Sequence, residues 1–200
     1  MRKKMRFWGL ACLLGGCLML GSCGSEAEDL DIPEGEGLVK IDLMPEVGFQ
    51  TKAVDENEYK DVNKYTVQVF KPGQESNPVI EGLYGELEAE YSLQVGQYVL
   101  KAFMGEEKPV STDKLYFYGE QGFEVKEGKI VEAPVTCKPS SVRINVVFDA
   151  KMDEYFSDYS LKIETEAQKP SSFEWKKDTV GPVYFKVGKQ EEVRVTVNLT

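Results

Sequence analysis

The feature that most constrains this chain is the alternation of apolar and polar residues in short runs. The clearest run covers residues 142–148, where Val142, Ile144, Val146 and Phe148 occupy every second position. Side chains of a β-strand point alternately to its two faces, so this spacing predicts strands with one buried face. No run with helical spacing exceeds about ten residues. The sequence therefore predicts an all-β protein.

Turn residues separate the strands about every ten positions, as in antiparallel sandwiches. About seven strands are expected over residues 37–138. Pro139 follows them and cannot donate a ladder hydrogen bond, which makes it a natural break. The sequence thus predicts two antiparallel β-sandwich modules of immunoglobulin-like type in tandem, at 37–138 and 141–200.

The last strand, Val193 to Leu199, is expected to pair in a sheet with its apolar face on the core. One of its edges is predicted to have no partner strand within the chain. Unpaired N–H and C=O groups on an edge are a template for another strand. We therefore hypothesise that a partner binds there; the alternative is an edge whose free groups bond only water.

Charge and composition exclude several classes of function. The chain has a net charge of −10 and contains no histidine. Residues 1–22 hold four basic and no acidic residues, so their removal leaves 20 basic against 34 acidic residues, a net charge near −14. Such a chain repels nucleic acid, which is not an expected partner. The acidic residues at 55–61 lack the spacing of a calcium loop, and no metal or cofactor site is predicted.

The first 22 residues have the form of a secretory signal peptide, with a basic head and an uncharged stretch from Phe7 to Ser22. The segment ends in Leu20-Gly21-Ser22-Cys23, the pattern of a lipobox, so Cys23 is the predicted lipidation site and membrane anchor. Residues 23–36 are acidic and should form a flexible tether.

Three alternatives to lipidation at Cys23 remain. A transmembrane anchor is disfavoured because 16 uncharged residues fall short of the roughly 20 that a spanning helix needs. Cleavage before Cys17, within Leu14-Gly15-Gly16-Cys17, would leave an apolar stretch outside the membrane. A cleaved signal without lipid does not explain the cysteine at the cut. Cys137, the one cysteine of the sequence beyond Cys23, lies in an alternating run and is predicted to be a small buried residue.

Catalysis is not expected from the sequence. It contains neither a Gly-x-Ser-x-Gly elbow nor a phosphate-binding glycine loop, and a catalytic thiol would lack a histidine partner. A binding or adhesion module for a glycan or protein ligand is favoured instead. Its candidate ligand-binding residues are Tyr116, Phe117, Tyr118 and Trp175, whose rings could stack on sugars. The alternative is a structural subunit or anchor of a surface appendage or polysaccharide-handling complex.

Several motifs, taken in order, resemble a family of Bacteroidetes-type lipoproteins, domain-of-unknown-function family 4493. They cover most of residues 91–164. The matching residues are Leu93-x-x-Gly96-x-Tyr98-x-x-x-Ala102, Tyr116-x-Tyr118-Gly119, Phe123-x-Val125-x-x-Gly128, Val135-Thr136-Cys137-Lys138, Val142-x-Ile144-x-Val146-x-Phe148 and Tyr155-Phe156-Ser157-Asp158-Tyr159-Ser160.

The resemblance implies an extracytoplasmic β-sandwich protein of the cell envelope and supplies no catalytic residue. It also implies outer-membrane anchoring with the acidic residues after Cys23 directing export to the cell surface; the periplasmic face is the alternative. Family members run beyond the strand that ends at Leu199, so the second module is expected to be truncated or completed by another chain. Asp178-Thr179-Val180 resembles an O-glycosylation signal of such bacteria, which makes Thr179 a candidate site.

Overall fold

The computed structural model describes residues 32–48 and 56–200. The predicted signal peptide, Cys23 and most of the predicted tether lie outside the described residues. Within these ranges the short helices are α1 (Glu56–Lys60) and α2 (Met152–Tyr155). The strands are β1 (Glu36–Pro45), β2 (Thr66–Phe70), β3 (Ile80–Leu83), β4 (Tyr91–Gln94), β5 (Gly96–Met104), β6 (Val110–Ser111), β7 (Phe117–Val125), β8 (Ile130–Pro139), β9 (Ser141–Ile144), β10 (Tyr159–Glu164), β11 (Phe173–Lys176), β12 (Val183–Lys186) and β13 (Arg194–Leu199).

Seven strands form one sheet in the order β3-β2-β5-β7-β8-β1-β4. Strands β7 and β8 form ladder pairs only at Phe117↔Pro139 and Tyr118↔Lys138, so the hydrogen-bonded ladder between the two halves of the sheet ends there. The inward residues of both halves then meet in one core, which includes Val39, Leu100 and Val135, each at most 1 % exposed. The all-β, sandwich-like prediction is therefore confirmed.

One pair in this sheet is parallel, which local alternation could not reveal. Strand β1 runs parallel to β8 from Leu38↔Ile130 to Pro45↔Cys137, whereas the other strand pairs in the described ranges are antiparallel. Gly37 lets this pair begin, because a Cβ there would lie 2.4 Å from the carbonyl oxygen of Lys126. Any larger residue at position 37 must move the β7–β8 turn.

The remaining strands form two three-stranded sheets, β11-β10-β13 and β6-β12-β9. Between them lies a second, smaller core containing Ile163, Trp175, Val183 and Phe185. Strand β6 belongs to the loop between β5 and β7, yet it pairs with β12. Tyr184 of β12 points the other way and is buried in the first core.

The chain between 32 and 200 is thus one compact unit with two cores. Strand β8 ends at Pro139 and β9 begins at Ser141, where the sequence placed its break. Contacts nevertheless cross this break. Strand β6 precedes it and pairs with β12 beyond it, and Tyr184 follows it but is buried in the first core. Separate folding of 37–138 and 141–200 stays a prediction. None of the helices in the described ranges is long and apolar enough to cross a membrane.

The prediction for the last strand is wrong in one respect. Strand β13 pairs with β10 over six residues, as expected of a sheet strand. Its apolar side chains are not on the core, because Val195, Val197 and Leu199 are 51, 59 and 49 % exposed. Of the predicted apolar face, Val193 alone packs against the second core. The facing sheet does not extend over β13.

Candidate functional site: an aromatic groove on the seven-stranded sheet

Strand alternation divides the predicted aromatic residues between the two faces of β7. Phe117 points inward and is fully buried. Its ring stacks on Tyr59, with centroids 4.6 Å apart, and meets Tyr65 edge-on at 6.4 Å. Tyr116 and Tyr118 are half-buried and point to the outer face. Phe117 is therefore a core residue, and its proposed part in ligand binding is corrected.

Trp175 is likewise a core residue. It is 1 % exposed and packs edge-on against Phe173, with centroids 6.0 Å apart, in the second core. In the described part of the chain its indole N–H has no hydrogen-bond partner. A ligand in solvent cannot reach this ring, so the prediction that Trp175 binds a ligand is also corrected.

The two outward tyrosines join a third ring that the sequence analysis did not single out. Phe103 of β5 lies directly opposite Tyr118 in the β5–β7 register. The ring centroids of Phe103 and Tyr116 are 6.2 Å apart, and those of Tyr116 and Tyr118 are 6.1 Å apart with planes 27° from parallel. The alternation that buries Leu100 and Ala102 already assigns Phe103 to the outer face. The register with β7, however, is a long-range property.

Backbone contacts hold this aromatic surface in place. Ser140 donates hydrogen bonds from its N–H and its Oγ to the carbonyl oxygen of Tyr116, at 2.9 and 3.2 Å. Gly119 allows the close approach of β7 to β8, because a Cβ there would lie 2.4 Å from the carbonyl oxygen of Thr136. Hydrogen bonds and close backbone packing therefore hold the segment that carries Tyr116 and Tyr118.

A polar rim surrounds the rings and completes a shallow groove of about 350 Å³. The residues that line it are Gln68, Lys101, Phe103, Glu107, Tyr116, Tyr118 and Ser140. Gln68 Nε2 donates to Glu81 Oε1 at 2.6 Å, and Lys101 Nζ lies 3.9 Å from Glu120 Oε2. The groove thus offers donors and acceptors beside an apolar floor.

Two further contacts order the rim. The Lys101 ammonium lies 5.4 Å from the ring centroid of Phe70, a cation–π arrangement that restricts this side chain. Glu107 forms an ion pair with Lys186 of β12, which joins the edge of the groove to the second core region.

Both tyrosines remain neutral under physiological conditions. Burial raises the pKa of Tyr116 to about 12, with a smaller contribution from the carboxylate of Glu107. Burial also raises the pKa of Tyr118, whose hydroxyl donates a hydrogen bond to the Glu120 carboxylate. Neutral phenols can both donate and accept hydrogen bonds at the rim of a stacking surface.

The other candidate groups lie apart from this groove. Cys137 is fully buried, its Sγ lies 3.4 Å from the carbonyl oxygen of Ala102, and burial raises its pKa to about 12, as its predicted core position requires. Thr179 lies in the turn after β11, where its Oγ1 accepts a hydrogen bond from the Lys176 N–H at 3.0 Å. Its glycosylation stays a prediction. Among the described residues, no three His, Cys, Asp or Glu side chains are grouped to hold a metal ion.

Two solved structures align with most of this chain at low sequence identity. One is a DUF1812 protein of Bacteroides thetaiotaomicron, provisionally described as polysaccharide-binding, with 11 % identity, a TM-score of 0.43, and coverage of 83 % of this chain and 76 % of the other. Another is a DUF3823 family protein of Parabacteroides merdae, with 12 % identity, a TM-score of 0.26, and coverage of 84 and 82 %.

No curated protein matches the sequence at a significant level. A family model does match, over residues 35–200, which include both cores and the aromatic groove. The chain therefore belongs to the family described as Domain of unknown function (DUF4493).

Proposed function

We propose that this chain is a non-enzymatic binding protein that holds a glycan in the groove formed by Phe103, Tyr116 and Tyr118. The observation that carries the proposal is the contiguous row of three rings on the solvent side of a sheet whose other side already forms the core. The fold does not need these rings for its core. A grouped apolar surface rimmed by polar residues is typical of a binding site.

The chemistry of the groove suits a sugar better than the other ligand classes. The flat C–H face of a pyranose ring can lie on an aromatic ring, while its hydroxyls bond to the rim. Gln68, Lys101 and the two phenols supply such donors and acceptors within the groove. A nucleic acid would also stack on rings, but the net charge of −10 opposes it.

The proposal includes the cellular location predicted from the N-terminus. The lipid on Cys23 anchors the protein in the outer membrane, and the acidic residues that follow direct it to the cell surface. There the groove meets external polysaccharide. An anchor or structural subunit of a surface complex is the second candidate, favoured by the exposed edge of β13.

Affinity electrophoresis of the full chain through gels containing a β-glucan, an α-mannan or a xylan tests the binding proposal. We expect at least one polysaccharide to retard the protein. Tyr118→Ala should weaken that binding about fivefold, since one stacking ring contributes about 1 kcal/mol. Tyr155→Ala is the matched control, because Tyr155 is 74 % exposed on α2 and belongs to neither the groove nor the cores. Binding that is unchanged in Tyr118→Ala would contradict the proposal.

A further inference from the structure

Strand β13 differs from the other strands at sheet edges in the described ranges. The others, β3, β4, β6, β9 and β11, are four residues long or shorter. β13 has six residues in unbroken register with β10, without proline, and its only charged residue is Arg194 at one end. Natural proteins usually protect sheet edges by shortness, charge, proline or a bulge. β13 has little of this protection.

The hydrogen-bonding pattern between β10 and β13 shows which backbone groups of β13 face outward. Thr200 and Asp158 form a hydrogen-bonded pair: each backbone N–H donates to the carbonyl oxygen of the other residue, with N···O distances of 2.9 and 3.3 Å. Along an antiparallel pair, bonded and non-bonded positions alternate. Asn198, Thr196 and Arg194 therefore direct their N–H and C=O groups toward β10. Those of Leu199, Val197 and Val195 point to the open edge.

The same three residues carry the exposed apolar side chains. Val195, Val197 and Leu199 are 49–59 % exposed. Cross-strand neighbours on β10 share their face, including Ile163, which is 1 % exposed because the opposite sheet covers it. Apolar side chains and free backbone groups therefore coincide on one edge, and only another strand would satisfy both sets.

We propose that β13 is a two-fold interface at which two copies of this chain pair their strands antiparallel, with Val197 opposite Val197 of the second copy. In this register Val195 lies opposite Leu199 of the second copy. All three outward-facing positions then pair with one another, which forms about six backbone hydrogen bonds. The apolar stripes of the two copies meet along the same face, as favourable cross-strand pairs.

The distribution of charge favours a second copy as the occupant. The register places Arg194 opposite Thr200, whose side chain is uncharged, and Thr196 opposite Asn198, so no like-charged side chains face each other across the interface. An isologous pairing closes after two copies and leaves no further free β13 edge. One strand pair buries less surface area than the usual stable interface of about 1,200–2,000 Å². We therefore expect a weak dimer that forms at high local protein concentration.

A charge-exchange experiment on the full chain in mild detergent tests this interface. Val197→Lys and Val197→Glu each bring like charges together at the two-fold axis, and each should lower the dimer fraction in sedimentation or mass photometry at least tenfold. Mixing the two variants should restore it. Position 197 is exposed and makes no bond to β10, so both variants should keep the thermal midpoint of the original chain. A proline at Thr196 would be less informative, because that N–H belongs to the β10 ladder.

A photo-crosslinker placed at Thr196 gives an independent readout. Its side chain would lie opposite Asn198 of the second copy, so irradiation should yield an adduct of twice the chain's mass. The same probe at Lys162, one strand inward on β10, is the matched control and should give little of this adduct. Failure of the mixed variants to restore the dimer, or equal adduct from both probe positions, would overturn the proposal.

Discussion

Replacing Phe117 or its neighbour Tyr118 by alanine should separate core from surface at adjacent positions. Phe117 is fully buried and contacts the rings of Tyr59 and Tyr65. Removing such a side chain leaves a cavity and costs about 3–5 kcal/mol. For a unit of this size, each kcal/mol lowers the melting temperature by about 2–4 °C, so Phe117→Ala should lower it by about 6–20 °C.

Tyr118→Ala should cost no more than about 1 kcal/mol, because the ring is half-buried and loses one stacking contact and one hydrogen bond. Thermal unfolding followed by circular dichroism, together with urea titration, measures both variants. Phe117→Leu serves as a control that retains most of the buried volume. A loss below about 1 kcal/mol in Phe117→Ala, or equal losses in the two alanine variants, would refute the assignment of faces on β7.

Three further outcomes are expected. The Cys137 thiol should not react with Ellman's reagent at pH 8 until the protein is unfolded, because burial raises its pKa to about 12; rapid reaction of the folded chain would contradict its buried position. Burial likewise raises the pKa of Tyr65 above the unfolded value near 10, and that of Tyr116 to about 12, so their contribution to stability is complete below about pH 10 and is lost as pH rises beyond it. The urea midpoint should therefore fall between about pH 10 and 12, and a constant midpoint over that range would disprove this. Cys23→Ala should release the protein from membranes during detergent-free washing, with Cys17→Ala as the control; continued attachment of Cys23→Ala would contradict lipid anchoring at that residue.

Local sequence pattern predicted well those strands that have one buried face, such as β5 and β8. The run around Cys137 is an example, since alternation placed that thiol in the core and the structure shows it fully buried. The same pattern could not tell which face of β7 is inside. Tyr116, Phe117 and Tyr118 are all aromatic, and which face is covered depends on strands far away in sequence.

Long-range pairing explains the remaining differences. Phe103 meets Tyr118 only through the register of β5 with β7, and β6 is a two-residue strand whose partner, β12, lies more than 70 residues further along the chain. The apolar face of β13 was expected on the core because local alternation cannot show how far the opposite sheet extends. In the described chain β9 ends at Ile144, and the side chains of Val195, Val197 and Leu199 stay exposed.

The most direct test of the binding proposal follows the tyrosine ring signals of the full chain by NMR during titration with the polysaccharide that retards it most. We predict that the signals of Tyr116 and Tyr118 shift together and saturate at one concentration, while the signal of Tyr155 stays fixed. Phe103→Ala should reduce both shifts, because its ring lies beside them. Shifts confined to tyrosines outside the groove, or none at saturating polysaccharide, would contradict a glycan site on this face of the sheet.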